Sequence, residues 1–341
     1  MKEAEFWTKR DDGSVRCVLC PHNCIIKEGA RGICGVRENR GGVLYSLVWG
    51  KAVAASIDPI EKKPLFHVLP GSKAFSIAAV GCNLKCSFCQ NSDISQYPAE
   101  TGKITGQEMP PETIVKEAAD HGCECISYTY TEPTVFMEYV LDISRLAKEK
   151  GILNTIVTNG FTSSDVIKSE FPGLMDAANI DLKAFTDRFY RRLCKARLAP
   201  VLDAIRAYHE AGVWIEITTL LIPGENDSDG EIRDIAQFIK SVSSDIPWHI
   251  SRYYPRYRYD KAPSTPPDSL EKARETGLAE GLSYVYTGNV PGTASENTYC
   301  PSCGNIVIRR MGFSVLEMRL TGNACSTCGN AIAGRFKKNI N

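Results

Sequence analysis

The sequence has no long hydrophobic run, no excess of charge of either sign and no apolar leader. No stretch approaches the roughly 18–20 uncharged apolar residues that cross a bilayer. Met1 to Arg10 is polar and charged and lacks the apolar centre of a signal peptide. These absences predict a cytoplasmic protein with no membrane partner. Lys and Arg total 40, as do Asp and Glu, so the formal charge is zero. That balance argues against nucleic acid as a partner and leaves only a local basic groove for such a role. A chain of 341 residues suits one barrel-sized core with additions.

What the chain does have is cysteine, 14 in all. Clustered cysteines in a reducing compartment bind metal more often than they pair. Cys17, Cys20, Cys24 and Cys34 form one group; Cys82, Cys86 and Cys89 a second; Cys300, Cys303, Cys325 and Cys328 a third. Cys123, Cys125 and Cys194 stand apart and read as ordinary core thiols.

Residues 1–50 are rich in Cys and Gly and read as a small metal-binding module of loops and short strands. Residues 51–73, punctuated by Pro59, Pro64 and Pro70, read as a connector. From residue 74 to 293 short apolar runs alternate with amphipathic stretches: AFSIAAVG, then PETIVKEAADHG, then CISYTYTEP, and so on to SYVYTGN. Strands alternating with helices imply βαβ units and a parallel sheet. Six or seven such units predict an α/β fold, a complete or partial (β/α) barrel. In that architecture the site lies at the C-terminal ends of the strands. Residues 294–341 carry the third cysteine group as a zinc-ribbon-like addition and end in a basic tail expected to be solvated.

The central motif, GCNLKCSFCQN, spaces its cysteines C-x3-C-x2-C directly after the first barrel strand. Three thiolates on one loop can hold three corners of an iron–sulfur cube that ordinarily takes four. An iron without a protein ligand keeps an open site, as catalytic metals do. Gly81 and Asn83 let the loop turn, and Phe88 either covers the cluster or packs near an adenine ring. A zinc site completed by a distant histidine is the alternative use of these thiols.

The motif, with an aromatic before its third cysteine, resembles the radical S-adenosylmethionine (SAM) superfamily. The order of strand-end motifs resembles the pyruvate formate-lyase activating-enzyme-like branch. CPHNCIIKEGARGICGVREN, YTYTEPT, PWHISRYYP, YVYTGN and the paired C-terminal CxxC are similar to the radical SAM member of the AmmeMemoRadiSam system. The resemblance implies a [4Fe–4S] cluster on Cys82, Cys86 and Cys89. That cluster reductively cleaves SAM to methionine and a 5′-deoxyadenosyl radical, which abstracts hydrogen from substrate. It implies a low-potential electron donor, ferredoxin or flavodoxin, and a Memo-family protein or another protein substrate as partner.

The resemblance also assigns strand-end residues to SAM. Glu132 follows the second strand where many relatives carry Gly-Gly-Glu, and is expected to bind the SAM amino group; Tyr130 and Thr131 stand in place of the glycines. Asn159 ends the third strand. Asp181 and Lys183 end the fourth and share a face by alternation, where they serve the SAM carboxylate or ribose or simply form an ion pair. Glu216 and Thr218 share a face of the fifth strand; a mid-strand glutamate needs a partner, a SAM hydroxyl or a barrel lysine. His249 on the sixth strand either reaches substrate or bonds to backbone.

Cys300-x2-Cys303 and Cys325-x2-Cys328 form the two knuckles of a zinc ribbon or rubredoxin-like site, with zinc expected. The N-terminal spacing, C-x2-C-x3-C-x9-C, fits neither common zinc nor ferredoxin patterns, and leaves zinc and a second Fe–S cluster open, with His22 as a further candidate ligand. Three functions follow: a hydrogen-abstracting enzyme, an activase that installs a glycyl radical on a partner enzyme, and a non-catalytic metal-binding interaction module.

Overall fold

The computed structural model describes residues 1–290 and 292–336. Its centre is a sheet of eight strands. These are β1 (Ala54–Pro59), β2 (Lys73–Ala78), β3 (Cys125–Tyr128), β4 (Leu153–Thr158), β5 (Ala177–Asp181), β6 (Trp214–Leu221), β7 (Trp248–Arg252) and β8 (Val285–Gly288). They lie in the order β8-β7-β6-β5-β4-β3-β2-β1. The strands from β2 to β8 pair in parallel; β1 runs antiparallel along β2. The edges β1 and β8 do not pair, so the barrel is partial.

The helices between parallel strands cover the sheet: α1 (Pro111–Asp120), α2 (Met137–Glu149), α3 (Ser164–Glu170), α4 (Leu198–Glu210), α5 (Asp229–Val242) and α6 (Pro267–Ala279). α5 shows why they form. Ile232, Ile235, Ala236 and Ile239 recur at helical spacing and are all buried. Ser228 caps the helix by accepting from the Glu231 amide. Truncating the fully buried Ile235 to Ala would cost about 2–5 kcal/mol. No helix among the described residues is long and apolar enough to cross a membrane.

Residues 51–73 are more than the expected connector. They supply edge strand β1 and then cross the base of the barrel as a plug. The Phe66 and His67 amides donate to Glu216 on β6 at 2.9 and 2.8 Å. Arg310 donates to the Phe66 carbonyl at 2.7 Å and lies over its ring. Arg310 belongs to the C-terminal ribbon of β9 (Thr298–Tyr299), β10 (Ile306–Met311) and β11 (Ser314–Met318). A separate apolar cluster joins Phe66 and Tyr286 to Val307, Ile308 and Ile332. Plug and ribbon thus close the gap between the sheet edges at its base.

The basic end was expected to be solvated. Arg335 corrects this: its amide donates to the His67 carbonyl at 2.7 Å and its guanidinium to the Gly212 carbonyl at 2.8 Å. Residues 337–341 lie outside the described residues.

The N-terminal module forms two three-stranded antiparallel sheets. It is fixed to α2 by a buried bidentate pair, Arg37 to Glu138, at 3.0 and 2.8 Å. Glu138 is held below the usual carboxylate range: burial opposes its ionisation, but the Arg37 charge outweighs it.

Candidate functional site

The loop after β2 crosses the C-terminal rim of the sheet. Gly81 sits at φ +107°, and a Cβ there would come 2.7 Å from Val36 and 3.2 Å from the Cys34 carbonyl, so only glycine fits. Main-chain bonds dock the loop on residues 190–194, a π-helical turn: the Lys85 amide donates to the Cys194 carbonyl and the Ser87 amide to that of Leu193, both at 2.9 Å. Such turns recur at functional sites.

Each of the three thiols has a polar neighbour. The Leu84 amide donates to Cys82 Sγ at 3.3 Å, and Asn159 Nδ2 lies 3.6 Å from the same sulfur. Ser95 Oγ is 3.2 Å from Cys89 Sγ. The neighbouring Cys194 thiol, together with burial, pushes the Cys86 pKa well above the ordinary thiol value. Burial does the same to Cys82. These thiols stay protonated unless a bound cation takes the proton's place. Three thiols on one loop, with N–H donors on sulfur, fit an iron–sulfur cluster.

Lys183 and Asp181 pair at the rim at 2.6 Å. Burial disfavours the Lys183 charge, but Asp181 and the Cys86 thiol raise its pKa well above the ordinary lysine value. Asn159 donates to Asn83 of the cysteine loop at 2.9 Å. The rim therefore gathers Cys82, Cys86, Cys89, Asn159, Asp181 and Lys183.

The other expected SAM residues have other partners. Glu132 is 1% exposed, and its two oxygens accept four bonds from the chain: the Thr134 and Asn159 amides and the Thr134 and Thr158 hydroxyls. Burial raises its pKa. It ties β4 to the turn after β3. Phe88 is buried against Phe189, with ring centroids 5.8 Å apart. Thr218 pairs in register with Asp181 and His249 with Thr218, one step beyond Glu216 on the same face, but their side chains bond within the chain. Glu216 accepts from the plug amides, from Trp214 Nε1 at 3.2 Å and from His249 Nε2 at 2.7 Å. Burial works against its charge, but His249, His67 and the Phe66 amide hold its pKa below the usual value. Thr218 donates to Asn179 at 2.9 Å. The partner of Glu216 is thus the chain's own plug, which no local pattern announces from 150 residues away.

Among the described residues, one group of three or more brings its ligand atoms within 4.8 Å of one another: Cys300, Cys303, Cys325 and Cys328. The Cys300–Cys328 and Cys303–Cys325 sulfurs are 3.6 and 3.8 Å apart. A tetrahedral ion with metal–sulfur bonds near 2.3 Å sets its sulfurs roughly 3.8 Å apart. The four thiols could therefore hold a metal ion. The four N-terminal cysteines instead line a common cavity.

The radical SAM superfamily model matches residues 76–239. An uncharacterised protein of Methanocaldococcus jannaschii is 45% identical over 335 residues, covering 97% of this chain and 99% of that one. The pyruvate formate-lyase-activating enzyme of Clostridium pasteurianum is 27% identical over 163 residues, 48% of this chain and 67% of its own. A radical SAM methyltransferase from Sphaerobacter thermophilus shares the fold, with a TM-score of 0.52 at 16% identity over 67% of this chain and 70% of that one. With the cysteine loop at the rim of a partial barrel, these likenesses define a radical SAM enzyme. The chain belongs to the radical SAM superfamily. That membership carries a [4Fe–4S] cluster and SAM as cofactors.

Proposed function

We propose that Cys82, Cys86 and Cys89 hold three irons of the [4Fe–4S] cluster and that SAM binds at the fourth, beside Asn159, Asp181 and Lys183. The observation that carries this is the convergence of three thiols, one amide and one half-buried ion pair at the C-terminal rim of the parallel strands. When bound, the cluster supplies the electron that cleaves SAM to methionine and a 5′-deoxyadenosyl radical, which takes hydrogen from the substrate.

The chain's own residues do the rest. Asn159 Nδ2 donates toward Cys82 Sγ and softens the charge on that thiolate. Lys183 brings positive charge to the rim and Asp181 negative charge, a match for the carboxylate and amino groups of a zwitterion. The Glu132 carboxylate fixes the end of β4 and so aims Asn159. The plug and ribbon seal the base, so substrate enters from the rim. The radical-bearing site is best suited to hydrogen abstraction from a substrate placed there.

The activase reading draws on the activating enzymes among the relatives, such as that of Clostridium pasteurianum, whose likeness covers 48% of this chain. The same ancestry supports a protein substrate and a low-potential donor such as ferredoxin or flavodoxin. A Memo-family protein is the specific partner suggested by the sequence phrases quoted above. We assign zinc to the ribbon cysteines, because four thiolates at single-ion spacing leave no open position. The barrel unit runs from β1, not from residue 74, because β1 is part of its sheet.

Anaerobic protein given dithionite and SAM should form 5′-deoxyadenosine. Zinc should be present at one equivalent per chain, and Cys325→Ser should release it and lower stability by about 3 kcal/mol or more while rim iron persists. Absence of 5′-deoxyadenosine from iron-replete protein would refute the assignment.

A further inference from the structure

All four cysteines of the N-terminal module, Cys17, Cys20, Cys24 and Cys34, line one mostly enclosed cavity. Its wall is otherwise largely apolar, from Leu19, Ile26 and Ile33. A single zinc ion would draw the sulfurs to the spacing seen in the ribbon. They do not adopt it: within 4.8 Å, the described residues gather three or more ligand atoms only at the ribbon. Thiolates on different irons of a cluster each point outward from their own metal, and so stand farther apart than thiolates sharing one ion.

Two buried donors nearby lack an acceptor. Arg37 lines the cavity and is 2% exposed; two of its nitrogens bind Glu138, but Nε has no partner. Lys85 Nζ, on the cysteine loop, is buried without a hydrogen-bond partner. A buried N–H without an acceptor costs free energy. Sulfurs of a bound anionic centre would give such donors an acceptor, and the spread of the four thiols favours a cluster over a single ion.

We infer that Cys17, Cys20, Cys24 and Cys34 hold a second iron–sulfur cluster. It lies beside the rim cluster. Asn83, the residue after Cys82, lines the cavity, and its carbonyl is 2.8 Å from His22 Nε2. Gly81 packs directly on the Cys34 carbonyl. On the reading of the rim as the SAM site, the second cluster is an electron relay. It gains one electron from a low-potential electron-transfer protein and gives one to the rim cluster, with no bond made or broken.

The test begins with a Cys82→Ala, Cys86→Ala, Cys89→Ala variant of the full chain, reconstituted anaerobically with ferrous iron and sulfide. It should retain iron and acid-labile sulfide in equal amounts, with visible absorbance that dithionite bleaches and SAM leaves unchanged. Adding Cys20→Ser should remove both. No retained iron, or two zinc equivalents per chain, would overturn the inference. Should the triple variant fail to fold, Mössbauer spectra of wild-type protein serve instead: two cluster populations are expected, one of them insensitive to SAM, and a single population overturns the proposal. Iron in the triple variant supports the second cluster whatever wild-type protein does with SAM, so the two readings fail separately. Cys20→Ser alone should slow reduction of the rim cluster by reduced flavodoxin at least tenfold; an unchanged rate overturns the relay.

Discussion

Asn159 Nδ2 stands 2.9 Å from Asn83 Oδ1 and 3.6 Å from Cys82 Sγ, so one amide group clasps the cysteine loop and faces its first sulfur. The clasp is double, because Asn83 Nδ2 donates in turn to the Phe161 carbonyl at 2.8 Å. Hydrogen bonds to cluster sulfurs raise the reduction potential by favouring the more negative state. Asn159→Ala should therefore lower the rim cluster's potential. A hydrogen-bond difference of about 1.4 kcal/mol sets the scale at roughly 60 mV for one electron. Potentiometric titration followed by electron paramagnetic resonance reads this directly. A rise, or no change, would mean that Asn159 acts only as a clasp.

Cys194 faces Cys86 from the π-helical turn, and the two thiols play unequal parts. If Cys86 holds an iron, Cys194 sits behind it as a neighbour. Cys194→Ala should keep rim iron and 5′-deoxyadenosine formation within about twofold of wild type, while Cys86→Ala should abolish the product. Iron content and product yield in the two variants distinguish neighbour from ligand. Loss of iron in Cys194→Ala would give the cluster a fourth protein ligand and leave SAM no open corner.

The parts legible in the sequence are those whose cause is local. The parallel strands are largely buried and read as short runs rich in apolar residues, as in AFSIAA, although WIEITTLL also carries Glu216, Thr218 and Thr219. The ribbon cysteines carry their spacing with them, and so do the rim cysteines. What stayed hidden depends on contacts far along the chain. β1 reads AASIDP, a proline-punctuated edge with four of its six residues exposed, and nothing near it signals pairing with β2. Glu132, read as a SAM ligand from its place after β3, has its oxygens filled by residues 134, 158 and 159. A buried carboxylate in a strand signals that a partner exists; it does not say which.

Glu216 decides between a cofactor role and a structural one. Its oxygens hold the plug, Trp214 and His249. Glu216→Gln leaves at least one of these donors without an acceptor and removes a buried charge. It should destabilise the chain by about 3 kcal/mol. SAM affinity of the folded protein should stay within about twofold of wild type. Thermal denaturation and equilibrium binding separate the two quantities. A variant that kept its stability and lost SAM would return Glu216 to the cofactor site.

His67 makes the union of plug and ribbon sensitive to acid. Its Nδ1–H donates to the Ala333 carbonyl at 2.6 Å, which leaves Nε2 to accept from the Tyr286 hydroxyl at 2.6 Å. That arrangement requires the neutral ring. Burial lowers the His67 pKa from 6.5 to about 4, although the Glu216 charge works in the other direction. The unfolded chain takes up a proton near pH 6.5 that the folded chain refuses until about pH 4, so this contribution is complete above 6.5 and is lost as pH falls toward 4. The difference amounts to roughly 3 kcal/mol. His67→Gln offers an amide donor and an acceptor with no titration. Denaturation curves at pH 7.5 and pH 4.5 should show wild type losing more stability than the variant by about that amount, and carboxylates common to both cancel in the comparison. Equal losses in the two proteins would mean that His67 is already charged in the folded chain, with Tyr286 turned to accept from it.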